Sequence, residues 1–400
     1  MNRDENAVVA EAYKKRTLVA VLDQLCQQLD LTDTQYETAR ERYGAIGEWL
    51  AGGASPHLQN ASIYAHGSIG LGTANKPIGR NEFDVDLMCH LPATGPGSSP
   101  AAVKALVGAR LREHGKYREM LEEKPRCWRI NYANEFHLDI SPSIPNPQCD
   151  AGGELVPDKN LATWKPTNPE GYMNRFEAYA DLCPVFYLRE VLAKATRADV
   201  EPFPEQEMSK PLLKRIVQLL KRNRDHEFLA PERQDLAPIS IIITTLAAWS
   251  YAECVAKRHY ADAFELIIDV IARMPEFIRV EDMAGRKIYM VENETTIGEN
   301  FAEKWNRDEG LATTFFSWHK NALKAFNLLL GMEGLDAIGT HLSKSFGVPL
   351  EYARRSLEPH TNAISVARAA GALQVVPSLG VVTSIPRPGV GVRPNTFFGR

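Results

Sequence analysis

Residues 66 to 91 constrain this chain more than any other stretch. They read His-Gly-Ser-Ile-Gly-Leu-Gly-Thr-Ala, then Asn-Lys-Pro-Ile-Gly-Arg-Asn-Glu-Phe-Asp-Val-Asp-Leu-Met-Cys-His-Leu. The short apolar run from Ala61 to Ala65 predicts a strand, and Gly67-Ser68 turns the chain directly after it. A second strand then carries Asp84-Val85-Asp86. Alternate residues of a strand share a face, so Asp84 and Asp86 point the same way and Val85 the other. Two carboxylates side by side repel unless a cation stands between them, and hard oxygen ligands suit Mg²⁺. Glycine permits close backbone approach and unusual dihedrals, and backbone N–H groups with the Ser68 hydroxyl can cradle a phosphate. A phosphate cradle beside a metal-binding carboxylate pair is the equipment of phosphoryl or nucleotidyl transfer. A glycine-rich hairpin with two solvated aspartates is the plainer alternative. The Asp-x-Asp placed on a strand just after the turn weighs against it.

A third carboxylate is available. Arg126 to Tyr132 reads as a strand, Ala133-Asn134 as a turn, and Glu135 to Ile140 as a second strand. Asp139 lies between Leu138 and Ile140. An aspartate at an apolar strand centre is costly unless paired or metal-bound. His137 shares its face; a core or surface histidine is the expected reading, with a supporting partner of the site as the other.

Gly67-Ser68, Asp84-x-Asp86 and the later Asp139 resemble the polymerase-β-type nucleotidyltransferases. The run Gly-Ser-Ile-Gly-Leu-Gly-Thr-Ala, the strand Phe136 to Ile140, Trp164-x-x-Thr-Asn-Pro-Glu-Gly-Tyr172 and Glu299 to Trp305 resemble one branch more closely. That branch is the bacterial cGAS/DncV-like nucleotidyltransferases of anti-phage (CBASS) signalling. The resemblance implies an α+β fold: a small mixed sheet with helices, the palm, packed against an α-helical lobe and braced by a long N-terminal helix. It implies Mg²⁺, with Mn²⁺ as the alternative, on Asp84, Asp86 and Asp139. It also implies a donor triphosphate held by Gly67 and Ser68, with Lys221 and Ser240 at its far end. ATP, GTP or both would be the substrates and a cyclic di- or trinucleotide the product, reaching a downstream effector only as a soluble molecule. A nucleotidyltransferase acting on an RNA end or a small-molecule acceptor is the alternative, because the triad is shared across the superfamily.

Composition narrows the rest. Of 400 residues, 44% are hydrophobic and 24% charged, the balance of an ordinary two-lobed globular chain. No apolar run reaches membrane-spanning length, and Met-Asn-Arg-Asp-Glu-Asn lacks a signal-peptide pattern. The six cysteines show no Cys-x-x-Cys spacing, so they are expected as free buried thiols in a reducing cytoplasm, without zinc. A net charge of −4 argues against a long nucleic-acid footprint. Arg126, Arg129, Lys76 and Arg80 are candidates for a local basic pocket, though each is expected to be a solvated surface charge.

In chain order, residues 8 to 30 predict a helix, and Thr32-x-x-Gln35 a capping box opening a second one to about Leu50. Ser99-Pro100 opens a helix to about Tyr117. Pro142 to Pro169 reads as a long loop on the cleft wall. There Trp164 is expected in the core, with base stacking by Trp164 and Tyr172 as the other reading. Met208 to Asp225 predicts a helix with a solvated basic face, Pro238 a helix start with Ser240 in its first turn, and Lys287 to Val291 a strand. Helices follow from Tyr260 to Met274, Asp308 to Gly331 and Gly334 to Leu373. The boundaries expected are 1–207 for the nucleotidyltransferase core, 208–374 for the helical lobe and 375–400 for a flexible tail. The ending Thr396-Phe-Phe-Gly-Arg400 resembles tails that ubiquitin-like conjugation enzymes attach to a partner; a merely floppy terminus is the plainer reading.

Overall fold

The computed structural model describes residues 3–58, 60–79, 82–132, 135–158, 160–187 and 210–357, and three short strands beyond them. Helix α1, Arg3–Leu29, leads into α2, Asp33–Ala51. The capping box forms as expected: the Thr32 hydroxyl accepts from the Gln35 N–H at 3.2 Å, and the Gln35 side chain accepts from the Thr32 N–H at 3.0 Å. Strand β1, Ser62–His66, runs straight into a single helical turn, α3, Gly67–Gly70, and β2 follows at Phe83–His90. Next come α4, Pro100–Glu113, and α5, Gly115–Met120. Three strands, β3 (Leu121–Glu123), β4 (Trp128–Tyr132) and β5 (Phe136–Pro145), complete the palm sheet.

The sheet order is β1-β2-β5-β4-β3, with β2 and β5 parallel and the other neighbours antiparallel. The period of two divides its faces. Val85, Leu87, Cys89, Ile130, Leu138 and Ile140 are buried and form a core with α2 and α4. Asp84, Asp86, His137 and Asp139 lie on the opposite face. The predicted loop of residues 142–169 instead carries three stretches of strand joined by turns. β5 runs on to Pro145, and β6 (Glu154–Pro157) and β7 (Trp164–Thr167) extend the sheet from its end. Proline hid these strands. Pro142 and Pro145 lack an N–H, yet each keeps a place in the ladder, opposite Cys89 and Glu154.

Helix α6, Pro169–Ala180, starts the second core. It packs with α7 (Leu212–Glu227), α8 (Ser240–Lys257), α9 (Ala263–Arg273), α10 (Glu309–Gly331) and α11 (Leu335–Phe346). The buried face of α1 from Leu18 to Leu29 belongs to this core too. Its C-terminal end reaches the palm: the Lys76 N–H donates to the Leu29 carbonyl at 2.7 Å, and Lys76 Nζ to the Gln28 carbonyl at 3.1 Å. The helical core thus takes in α1 and α6, both earlier in the chain than residue 208.

Elsewhere the structure corrects one expected helix and bears out one expected strand. The helix expected from Gly334 to Leu373 breaks at Gly347, whose φ of 56° is left-handed, and Pro349 follows. The Lys287–Val291 strand is half of a hairpin: β8, Arg279–Met283, pairs with β9, Arg286–Met290, around Ala284-Gly285. Residues 374–376, 380–382 and 390–391 form a small three-stranded sheet, so part of the predicted floppy tail is strand. The Ala133-Asn134 turn, Arg80 and the ending Thr396 to Arg400 lie outside the described residues. All six cysteines are free; Cys26, Cys89 and Cys254 are buried as expected, whereas Cys127 and Cys149 are partly exposed and Cys183 is exposed. Among the described residues, no helix is long and apolar enough to cross a membrane.

Candidate active site

The polar face of the sheet and the helical lobe enclose a cleft of about 730 Å³. Gly67, Ser68, Asp84, Asp86, Asp139, Lys221 and Ser240 all line it, so the structure brings every predicted site residue to one place. The volume is ordinary for a small-molecule site.

Register explains how the carboxylates meet. Asp86 stands directly opposite Asp139 across the parallel pair β2–β5, and His66 stands opposite Asp86 across β1–β2. The turn after β1 needs glycine at its first position. Gly67 has φ 60°, and a Cβ there would lie 2.2 Å from Asp86 Oδ2. The Gly67-Ser68 turn and the central aspartate are therefore built against each other. Burial, reinforced by the charges of Asp139 and Asp84, pushes the Asp86 carboxyl up to about 6. A half-buried carboxylate flanked by two others is chemically suited to a divalent cation, and the all-oxygen donor set fits Mg²⁺ or Mn²⁺.

Arg129 departs from the solvated surface charge that the sequence suggested. It is half-buried and forks onto Asp139, Nε donating to Oδ1 at 2.6 Å and Nη2 to Oδ2 at 2.7 Å. The same Nη2 donates to Asp84 Oδ1 at 3.1 Å. A signal was available. Three residues outward from the Tyr132–Phe136 pair, the β4–β5 hairpin puts Arg129 opposite Asp139. Among the described residues, no three acidic, His or Cys side chains converge closely enough to hold an ion as they stand. His137 pairs with Glu82, its Nε2 3.0 Å from Oε2. Lys76 lines the cleft but is tied to α1, and Arg126, which acts on Glu299, does not line it.

The opposite wall is α7, and its basic residues are not the solvated face expected. Arg215, Lys221, Arg222 and Arg224 are all at least nine-tenths buried. Arg215 and Arg222 find partners far along the chain, and Lys221, Arg222 and the neighbouring Gln218 bond carbonyls of the segment that follows the Gly67-Ser68 turn. Lys221 Nζ donates to the Thr73 carbonyl at 3.0 Å, Gln218 Nε2 to Ala74 at 3.0 Å and Arg222 Nη1 to Lys76 at 3.0 Å. These bonds seat Lys221 across the cleft from Asp86. Burial, with Arg224 nearby, lowers the Lys221 amine to about 8. Ser240 opens α8, and its hydroxyl accepts from Arg224 Nη2 at 2.9 Å. Arg224 also donates to the Pro238 carbonyl and lines the cleft, a cation the sequence reading left among the solvated ones.

Trp164 and Tyr172 do not line the cleft. The Trp164 indole donates to the Ser98 carbonyl at 3.0 Å, and Tyr172 bonds Thr245 at 2.9 Å and meets Phe301 edge-on. Both are packing residues, and the 142–169 segment is not a cleft wall.

Residues 17–179 match the profile of the Second Messenger Oligonucleotide or Dinucleotide Synthetase domain. A c-di-GMP synthase of Roseivirga ehrenbergii is 28% identical over 392 residues, covering 96% of this chain and 98% of the relative. The cyclic dinucleotide synthase CdnG of Bradyrhizobium diazoefficiens is 25% identical over 325 residues, 76% of this chain and 74% of the relative. The solved structure of that CdnG in complex with GTP superposes with a TM-score of 0.61 at 20% identity, covering 86% of this chain and 98% of the other. Residues 17–179 thus match a second-messenger synthetase domain, and along nearly its whole length the chain is similar to cyclic dinucleotide synthases of the cGAS/DncV-like nucleotidyltransferases.

Proposed function

We propose that this chain joins two molecules of GTP into a cyclic dinucleotide, releasing pyrophosphate at each transfer, as a soluble signal in anti-phage defence. The observation that carries the reading is the single cleft in which Asp84, Asp86 and Asp139 face Gly67-Ser68, Lys221 and Ser240. Guanine is chosen over adenine because the c-di-GMP synthase relative aligns along nearly the whole chain.

Asp84, Asp86 and Asp139 would hold Mg²⁺, with Mn²⁺ as the alternative, which when bound polarises the α-phosphate and acidifies the acceptor hydroxyl. The protein supplies position and charge. Gly67 turns the backbone toward Asp86, and Ser68 offers its hydroxyl to the β and γ oxygens of the donor. Lys221, Arg224 and Ser240 take the far end of the triphosphate from the opposite wall. No side chain has to act as a nucleophile, because the attacking oxygen belongs to the second nucleotide. A linear intermediate that re-enters in the opposite sense closes the ring. Conjugation of the C-terminal tail by ubiquitin-like enzymes is a further proposal resting on the ending Thr396 to Arg400.

Labelled single nucleotides test base choice. GTP alone is expected to give a phosphatase-resistant product and ATP alone none; the reverse pattern would contradict guanine. Lys221 adds a pH signature. Its amine, lowered to about 8, is charged below that pH and neutral above it. The kcat/KM for GTP, which reports the free enzyme, should therefore fall as pH rises through about 8. Lys221→Arg should flatten that limb. An unchanged limb in the variant would remove Lys221 from triphosphate binding.

A further inference from the structure

We propose that Arg129 is a positioning residue that competes with the divalent cation for Asp139 and Asp84, so that metal loading requires its guanidinium to leave. This rests on the metal-dependent reading of the site. The geometry carries it. Arg129 projects from β4 directly opposite Asp139 and covers both oxygens of that carboxylate with two short, parallel charge-assisted bonds. Its third bond, to Asp84 Oδ1, ties β2 to β5, the two strands that carry the triad. One guanidinium thereby supplies the positive charge that two facing carboxylates need. It does so on lone pairs that a metal ligand must offer to the ion. The three bonds of the clamp go to Asp139 and Asp84, and at Asp86 the two negative neighbours outweigh the charges of Lys221 and Arg129.

The arrangement has two consequences. The hairpin fixes where Asp139 points before any ion arrives, which preorganises the third ligand. It also lowers the fraction of molecules whose carboxylates are open to an ion, and apparent affinity falls by that fraction. An ion arriving with a triphosphate brings its own counter-charges and replaces the guanidinium, whereas a free ion must displace it unaided.

The test is Mn²⁺ binding to the full-length protein in the absence of nucleotide, read from the free-Mn²⁺ electron paramagnetic resonance signal. Arg129→Met removes the fork and keeps much of its length, and should bind Mn²⁺ about tenfold more tightly than wild type, or better. Arg129→Lys keeps the charge but cannot fork, and should fall between; it carries the test by itself if the methionine variant does not fold. Adding Asp139→Asn to Arg129→Met should cancel the gain. Equal or weaker Mn²⁺ binding in Arg129→Met and Arg129→Lys would overturn the proposal. The metal reading has its own failure: Asp86→Asn that binds Mn²⁺ as tightly as wild type and still synthesises product would overturn it, whatever the Arg129 variants show.

Discussion

Asp86→Ala is expected to lower dinucleotide synthesis by about a thousandfold or more, the several kcal/mol that metal-held phosphoryl oxygens contribute to the transition state. Asp86 is the half-buried centre of the carboxylate set, opposite Asp139 on the neighbouring strand and against Gly67 in the turn. The same features predict that the fold survives. Burial and two negative neighbours raise the Asp86 carboxyl to about 6, so ionised Asp86 opposes folding at neutral pH. The sign follows from the raised value. The folded state binds the proton more tightly than the unfolded chain, so the penalty is present above about 6 and relieved as pH falls through it. Alanine removes that penalty, and thermal denaturation at neutral pH should show a midpoint equal to or above wild type. Asp84→Ala should also abolish synthesis. Retained synthesis in both variants would remove the triad assignment.

The second large effect is on stability, at Arg215 in α7. Its side chain is 1% exposed and donates to Asp23 Oδ1 and Asp30 Oδ2, each at 2.9 Å, and to Gln218 Oε1 at 2.9 Å. Asp23 is equally enclosed, at 4% exposure, so its charge has little access to water. This cluster joins α1 to α7, and Gln218 carries it on to the Ala74 carbonyl beyond the Gly67-Ser68 turn. Arg215→Met keeps volume but strands the Asp23 carboxylate, and should cost about 3–5 kcal/mol in denaturant unfolding. The exposed pair Arg40–Glu37 provides the contrast, and Arg40→Ala should cost less than about 1 kcal/mol. Equal costs at the two sites would contradict the buried network.

These residues also show what a sequence can and cannot reveal. Local signals were readable. The Thr32 capping box, Pro100 at a helix start and the period-two placement of Asp84 and Asp86 each depend on neighbours a few residues apart. The site itself was legible because a turn, an Asp-x-Asp strand and a later strand aspartate are diagnostic of one chemistry. Partners distant in the chain were not. Arg215 and Arg222 look like a solvated helix face until Asp23, Asp30 and the carbonyls of residues 76, 346 and 347 are folded onto them. The extended hairpin of β6 and β7 was hidden for the opposite reason: its local composition, rich in proline and asparagine, speaks for loop, and only pairing with β5 makes it strand. Arg129 falls between the two cases, since counting register outward from the hairpin turn would have found it.

Product identity tests the central claim most directly. Purified protein is incubated with all four ribonucleoside triphosphates and Mg²⁺, with Asp86→Ala in parallel, and the phosphatase-treated mixtures are resolved by mass spectrometry. The expected result is a phosphatase-resistant species with the mass of two linked guanylate units and no free ends, absent from the variant. Extension of an RNA end or a small-molecule acceptor in place of such a ring, or the same ring from Asp86→Ala, would contradict it.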